Sequence, residues 1–123
     1  MLIFQQIYIY MLNLQSNKID SLDNVNFPPN LTFLSLYGNR IILINNVSFP
    51  INLNTLTFTN NLITSISNVI FPVNLKILYL NNNPLVTITN VTFSSMVKIY
   101  FLEHEYNAEQ FMSLFNETRE LFL

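Results

Sequence analysis

Apolar residues recur along this chain at a fixed spacing of 22, held through four successive registers. Leu31, Leu53, Leu75 and Val97 form one column, with Ile9 opening an earlier register. Ile19, Ile41, Ile63 and Leu85 form a second column, and Leu22, Ile44, Ile66 and Ile88 a third. Two further columns hold one residue type each: Asn17, Asn39, Asn61 and Asn83, then Phe27, Phe49, Phe71 and Phe93. A fixed period in this range marks a solenoid, whose units cannot bury an apolar face alone and do so against their neighbours. The units start at residues 9, 31, 53, 75 and 97 and span residues 9–103.

Alternation near the start of each unit predicts a short strand with period two. Leu12/Leu14, Leu34/Leu36, Leu56/Phe58, Leu78/Leu80 and Tyr100/Leu102 fall on its inner side. The intervening residues then line a concave face in three columns. These are Met11, Phe33, Thr55, Ile77 and Ile99; Asn13, Ser35, Thr57, Tyr79 and Phe101; and Gln15, Tyr37, Thr59, Asn81 and Glu103. After each strand the chain must turn, which leaves buried N–H and C=O groups to be satisfied at a cost of about 1–3 kcal/mol each when they are not. The Asn column suits that task, because an amide side chain both donates and accepts. Asparagine also tolerates left-handed backbone, which matters in a chain with one glycine, Gly38.

On the opposite, convex side, Pro28, Pro29, Pro50 and Pro72 follow the Phe column and oppose helix there. The Asn-Val-x-Phe segments are β-branched and aromatic, so this side is expected to be extended or irregular, with the four Phe rings stacked as a structural spine. Each unit generalises to L-x-x-L-x-L-x-x-N-x-I-x-x-I-x-N-V-x-F-P-x-N. Its first eleven positions resemble the signature of the leucine-rich repeat family. The resemblance covers most of the chain. It implies a leucine-rich repeat solenoid of the α/β superhelix class, with a concave parallel β-sheet of about five short strands. The N-V-x-F-P-x-N-L phrase is similar to ectodomain repeats of some receptor-like kinases.

The pattern decays at both ends. Gln5 and Gln6 stand where Phe and Pro belong, so residues 1–8 read as a degraded N-terminal half-repeat. They lack the basic start and small-residue cleavage site of a signal peptide and the length of a membrane helix. At the other end Glu105 replaces the repeat Asn. Asn107 and Gln110 then form a helix-capping pair. Phe111, Leu114, Phe115, Leu121 and Phe122 share one face of an amphipathic helix over residues 107–122. That helix is expected either to lid the last repeat or to dock another protein or domain.

Charge and composition narrow the function. The net charge of -2 divides into +2 over residues 1–102 and -4 over residues 103–123. Neither part carries the dense basic stripe that a phosphate backbone requires, so no nucleic-acid partner is expected. The absence of cysteine fits a reducing compartment and an internal slice of a secreted repeat array equally well, and the compartment stays open. Four N-x-S/T sequons, at Asn30, Asn46, Asn90 and Asn116, are about what an asparagine-rich chain carries by chance, and two of them fall in a repeat column.

Catalytic signals are thin. His104, the only histidine, sits between Glu103 and Glu105 with no second histidine or cysteine to share a metal. Asp20 and Asp23 fall in a convex-side loop and read as a solvated turn, and one glycine cannot build a phosphate-cradling loop. No enzyme activity, cofactor or membrane segment is expected. The expectation is a non-enzymatic module that binds a protein or peptide through its concave face. Phe33, Ser35, Tyr37, Thr57, Ile77, Tyr79 and Phe101 are its candidate contacts. A mixed strand face left by relaxed selection would look similar. Five strands give a face of roughly 19 by 17 Å. That is below the ~800 Å² per partner of a standard interface, so further flanking repeats are expected. The alternatives are a recognition fragment of a receptor-like kinase ectodomain whose catalytic domain lies outside this chain, and a truncated gene product with no present function.

Overall fold

A computed structural model describes residues 7–116. The chain winds into a parallel-strand β-solenoid of about 4 turns, ended by one helix. Among the described residues nine strands run in chain order: β1 (Met11–Asn13), β2 (Phe33–Ser35), β3 (Leu43–Asn45), β4 (Thr55–Thr57), β5 (Ser65–Ile70), β6 (Ile77–Tyr79), β7 (Thr87–Thr92), β8 (Lys98–Phe101) and β9 (His104–Tyr106). The helix α1 spans Ala108–Asn116. A first sheet has the order β1-β2-β4-β6-β8-β9, and a second the order β3-β5-β7. Neighbours are parallel except β8 and β9, which form an antiparallel hairpin.

The side expected to be extended is therefore an ordered parallel sheet. This corrects the α/β expectation: among the described residues the only α-helix is terminal, and the turns of the coil are built from strands and bends. Two left-handed columns make the bends. Ser16, Gly38, Asn60 and Asn82 have φ of 58°, 68°, 60° and 58°. Asn24, Asn46, Asn68 and Asn90 have φ of 59°, 54°, 54° and 54°. Short polar side chains and glycine are the residues that enter this region at least cost, so asparagine stands here where glycine would be expected.

Between the sheets lies a single apolar core. Leu34, Leu36, Ile41, Ile44, Leu53, Leu56, Phe58, Ile63, Ile66, Leu75, Leu78 and Leu80 are completely buried. Their first-turn counterparts Leu12, Leu14 and Ile19 are only partly buried, because no earlier turn covers them among the described residues. Phe27, Phe49, Phe71 and Phe93 stack as expected, with successive centroids 5.9, 5.6 and 5.0 Å apart and planes within 15° of parallel. The stack ends on Phe111 of α1, which meets Phe93 edge-on at 5.8 Å and 85°.

The asparagine ladder forms from the second turn onward. Asn39, Asn61 and Asn83 are buried, and each accepts at Oδ1 from the preceding turn: Ile19 N–H to Asn39 at 3.0 Å, Ile41 N–H to Asn61 at 3.1 Å, Ile63 N–H to Asn83 at 3.0 Å. Each Nδ2 donates to one carbonyl of the turn before and at least one of its own turn, as Asn61 does to Leu36 and Phe58, both at 2.9 Å; Asn39 and Asn83 also reach Tyr37 O and Asn81 O, each at 3.3 Å. Asn17 departs from the expectation. It is exposed, and its amide donates to the Gln15 carbonyl at 3.1 Å.

The last turn breaks the period. Ile77, Leu78 and Tyr79 pair with Lys98, Ile99 and Tyr100, a spacing of 21. Val97 keeps its column and is 2% exposed, so the missing residue falls between Val97 and the strand interior. A one-residue shift exchanges the two faces of a strand. Ile99 and Phe101 therefore point into the core, and the expected inward pair Tyr100/Leu102 does not.

The hairpin between β8 and β9 turns at Leu102 and Glu103, with φ of 52° and 61°. Two consecutive left-handed residues favour Asn-Gly in a two-residue hairpin, and leucine there is strained. The double change Leu102→Asn/Glu103→Gly is expected to raise the melting temperature by a few °C in thermal denaturation. A lowered value would show that the Leu102 side chain stabilises more than its backbone costs. The Asn107 cap forms reciprocally: Gln110 N–H donates to Asn107 Oδ1 at 2.8 Å, and Asn107 N–H to Gln110 Oε1 at 3.0 Å. Leu121 and Phe122, placed on the helix by the sequence, lie outside the described residues.

Candidate functional site: the outer face of the first sheet

Strand pairing sets the outer face residue by residue. Met11, Phe33, Thr55, Ile77 and Lys98 are neighbours in one row, and Asn13, Ser35, Thr57, Tyr79 and Tyr100 in the next. Of the seven expected contacts, Phe33, Thr57, Ile77 and Tyr79 are half-buried on this face, and Tyr37 is 39% exposed just beyond β2. Ser35 shares the face but is 6% exposed, so it offers little surface.

Phe101 is a correction. At 4% exposure it lies in the core, edge-on to Phe111 at 5.6 Å. The register shift puts Tyr100 in its place and Lys98 in the place expected of Ile99. Sequence reasoning missed both because every register of Lys-Ile-Tyr-Phe-Leu offers apolar residues to either side. The available signal was the shorter interval from Val97 to the Ile99/Phe101 pair, set against Leu75 to Leu78/Leu80.

Several of these side chains are held in place. Tyr79 and Tyr100 stack at 5.0 Å and 20°. The Tyr100 hydroxyl donates to Glu105 Oε1 at 2.8 Å, across the hairpin. That hydrogen bond, aided by desolvation and by the negative charge of Glu105, raises the Tyr100 pKa above its ordinary value, so the phenol keeps its proton. Tyr37 accepts at its hydroxyl from Asn60 Nδ2 at 2.7 Å, and Asn60 Oδ1 in turn accepts from Asn82 Nδ2 at 2.7 Å. Asn81 Oδ1 accepts the Glu103 N–H at 3.0 Å, tying the hairpin to the previous turn. The result is a strip of oriented aromatic rings beside threonine hydroxyls, bordered by Lys98 and Glu105. Such a strip offers apolar area and hydrogen bonding at little entropic cost.

Elsewhere the chemistry is sparse. Among the described residues no group of three or more His, Cys, Asp or Glu is placed to hold a metal ion. His104 is exposed, and the nearest ring contact is with Tyr106 at 6.3 Å. Asp20 and Asp23 are exposed beside Ile42 and Leu43 at the margin of the second sheet. No helix of the described residues is long and apolar enough to cross a membrane.

No protein-family model, curated protein or solved structure matches the chain.

Proposed function

We propose that this chain is a leucine-rich repeat module without enzymatic activity, which binds a protein or peptide segment through the outer face of its first sheet. The observation that carries this reading is the immobilised aromatic strip, with Tyr79 and Tyr100 stacked and Tyr37 tied to Asn60. Folding has already ordered these rings, so a ligand recovers most of the contact energy. The leucine-rich repeat reading rests on the L-x-x-L-x-L-x-x-N columns and on the buried asparagines bridging adjacent turns. The small face favours a short extended segment over a folded protein surface, since a standard interface needs about 800 Å² per partner. The N-V-x-F-P phrase supports membership of a larger receptor-like kinase ectodomain as a second reading; a kinase reading frame in flanking genomic sequence would favour it.

Selection from a displayed library of random peptides tests the binding face. Enriched peptides are expected to bind the wild-type chain in the micromolar range and to lose at least roughly tenfold on Phe33→Glu/Tyr79→Glu, about 1.4 kcal/mol or more. Circular dichroism and melting of the double variant establish that it is folded. Peptides that bind the folded variant as well as wild type would exclude this face.

A further inference from the structure

The middle of the first sheet carries a trough. On β4, Thr55 and Thr57 point outward around the buried Leu56, and Thr59 follows them on the same face. β2 flanks them on one side, with Phe33 opposite Thr55 and Ser35 opposite Thr57. The Gly38 N–H donates to Thr59 O at 3.0 Å, which brings Tyr37 alongside Thr59. β6 flanks the other side, with Ile77 opposite Thr55 and Tyr79 opposite Thr57. Three short side chains thus form a floor between taller walls. Tyr79 stacks on Tyr100 at 5.0 Å and 20° on its β8 side, so its other ring face is turned toward the threonines. With strands about 4.8 Å apart, the walls stand roughly 10 Å from each other, which admits one chain lying along β4.

The hydrogen bonds define what this trough offers. The backbone of β4 is paired on both sides, with β2 and with β6. The amide oxygens at the margin are engaged as well. Asn54 Oδ1 accepts from Thr55 Oγ1 at 3.3 Å, Asn60 Oδ1 from Asn82 Nδ2 at 2.7 Å and Asn81 Oδ1 from the Glu103 N–H at 3.0 Å. Protons are what remain. The Tyr37 hydroxyl accepts from Asn60 Nδ2 at 2.7 Å, which leaves its own proton to donate outward. The hydroxyls of Thr57, Thr59 and Tyr79 make no hydrogen bond among the described residues. Tyr100 differs, because its proton goes to Glu105 at 2.8 Å.

A donor-rich, acceptor-poor trough suits a ligand with many carbonyls and few N–H groups. A strand-like peptide brings an N–H at nearly every residue, and a buried donor without a partner costs about 1–3 kcal/mol. Proline brings none. Its fixed φ also holds a chain in the polyproline II conformation before binding, with the carbonyls turned to solvent. We infer that the ligand is a proline-rich segment in the polyproline II conformation, laid along β4. Its prolines pack against Phe33 and the inward face of Tyr79, and one of its carbonyls accepts from the Tyr37 hydroxyl. Aromatic-lined grooves take this conformation because it is already ordered. Thr55 to Thr59 spans roughly 13 Å of strand, which matches about four polyproline II steps. The inference rests on the binding face proposed above and adds the chemistry of its ligand.

Heteronuclear NMR titration of the full chain with a decaproline peptide tests the assignment. The amide signals of residues 55–59, Phe33, Tyr37 and Tyr79 are expected to shift together, with a Kd below about 1 mM. An alternating Ala-Gly decapeptide, with an N–H at every residue, is expected to bind at least tenfold more weakly. Tyr37→Phe keeps the ring and removes the proton, and is expected to weaken decaproline binding at least threefold. Thr57→Lys fills the floor and is expected to weaken it at least tenfold. Melting curves establish that the variants fold, and Tyr37→Phe decides alone if Thr57→Lys does not. Decaproline that leaves these signals unmoved, or that binds the folded variants as well as wild type, would overturn the assignment. Cellohexaose shifting the same signals in its place would do so too, by making the trough a glycan site. If library-selected peptides still require Phe33 and Tyr79 in that event, the binding face stands and only its ligand class is wrong.

Discussion

Replacing Asn61 by leucine is expected to lower the melting temperature by roughly 10 °C, although it adds apolar volume at a buried site. The physical cause is specific. The carbonyls of Leu36 and Phe58 each receive two asparagine amides, from Asn39 and Asn61 in the first case and from Asn61 and Asn83 in the second. Both carbonyls therefore keep a partner in the variant. The Ile41 N–H loses its side-chain acceptor, Asn61 Oδ1, in a buried environment. An unsatisfied buried donor costs about 1–3 kcal/mol, and the branched side chain must also fit a space shaped for a planar amide. Asn61→Asp separates these effects. An aspartate still accepts from Ile41, but when ionised it turns an anion toward two carbonyl oxygens. Its folded-state pKa is therefore raised above the ordinary carboxylate value. The stability of this variant is accordingly greatest at pH values below the unfolded pKa and falls as pH rises through the folded one. An Asn61→Leu melting curve equal to wild type, or an Asn61→Asp curve indifferent to pH, would remove the ladder from the account of stability.

A comparably large loss, about 3–5 kcal/mol, is expected for Phe111→Ala, for a different reason. Phe111 is completely buried, and its ring touches Phe93, Phe101, Phe115 and Tyr106 with centroids 5.8, 5.6, 5.2 and 6.3 Å away. Truncation leaves a cavity among aromatic neighbours that cannot collapse far, because the Phe stack and β8 are fixed by the preceding turns. The loss should also be local. Turns of a solenoid contact mainly their neighbours, so β8 and β9 should lose most of their hydrogen-exchange protection while β4 and β6 retain theirs. Uniform loss across all turns would instead mean that the coil unfolds as a single cooperative unit.

How much of this was legible in the sequence depended on whether the period held. Where it did, the reading was accurate: the buried columns, the Phe stack and the asparagine ladder from Asn39 onward all lie where a spacing of 22 puts them. Val97 also kept its column, and for that reason it concealed the residue missing after it. Lys-Ile-Tyr-Phe-Leu is apolar in either register, and only backbone pairing shows that Phe101 enters the core while Tyr100 joins Tyr79 outside. The second sheet was legible as extended chain but not as a sheet. Its longest strands carry left-handed Asn68 and Asn90 in mid-run, which reads as a turn signal. Strand β9, His-Glu-Tyr, has no apolar alternation to announce it and forms because the Leu102–Glu103 turn returns the chain along β8. At the N-terminal end, Asn17 follows the column but has no earlier turn to bridge among the described residues, and it is exposed.

The way the Phe stack ends gives the whole coil a polarity. Phe27 through Phe93 lie face to face, an arrangement that can accept another ring at either free face. Phe111 meets the last of them with its edge, at 85°, and so removes that option. Within the described residues, a ring spliced between two turns would find a face on either side, whereas the outer face of Phe93 is already taken by the edge of Phe111.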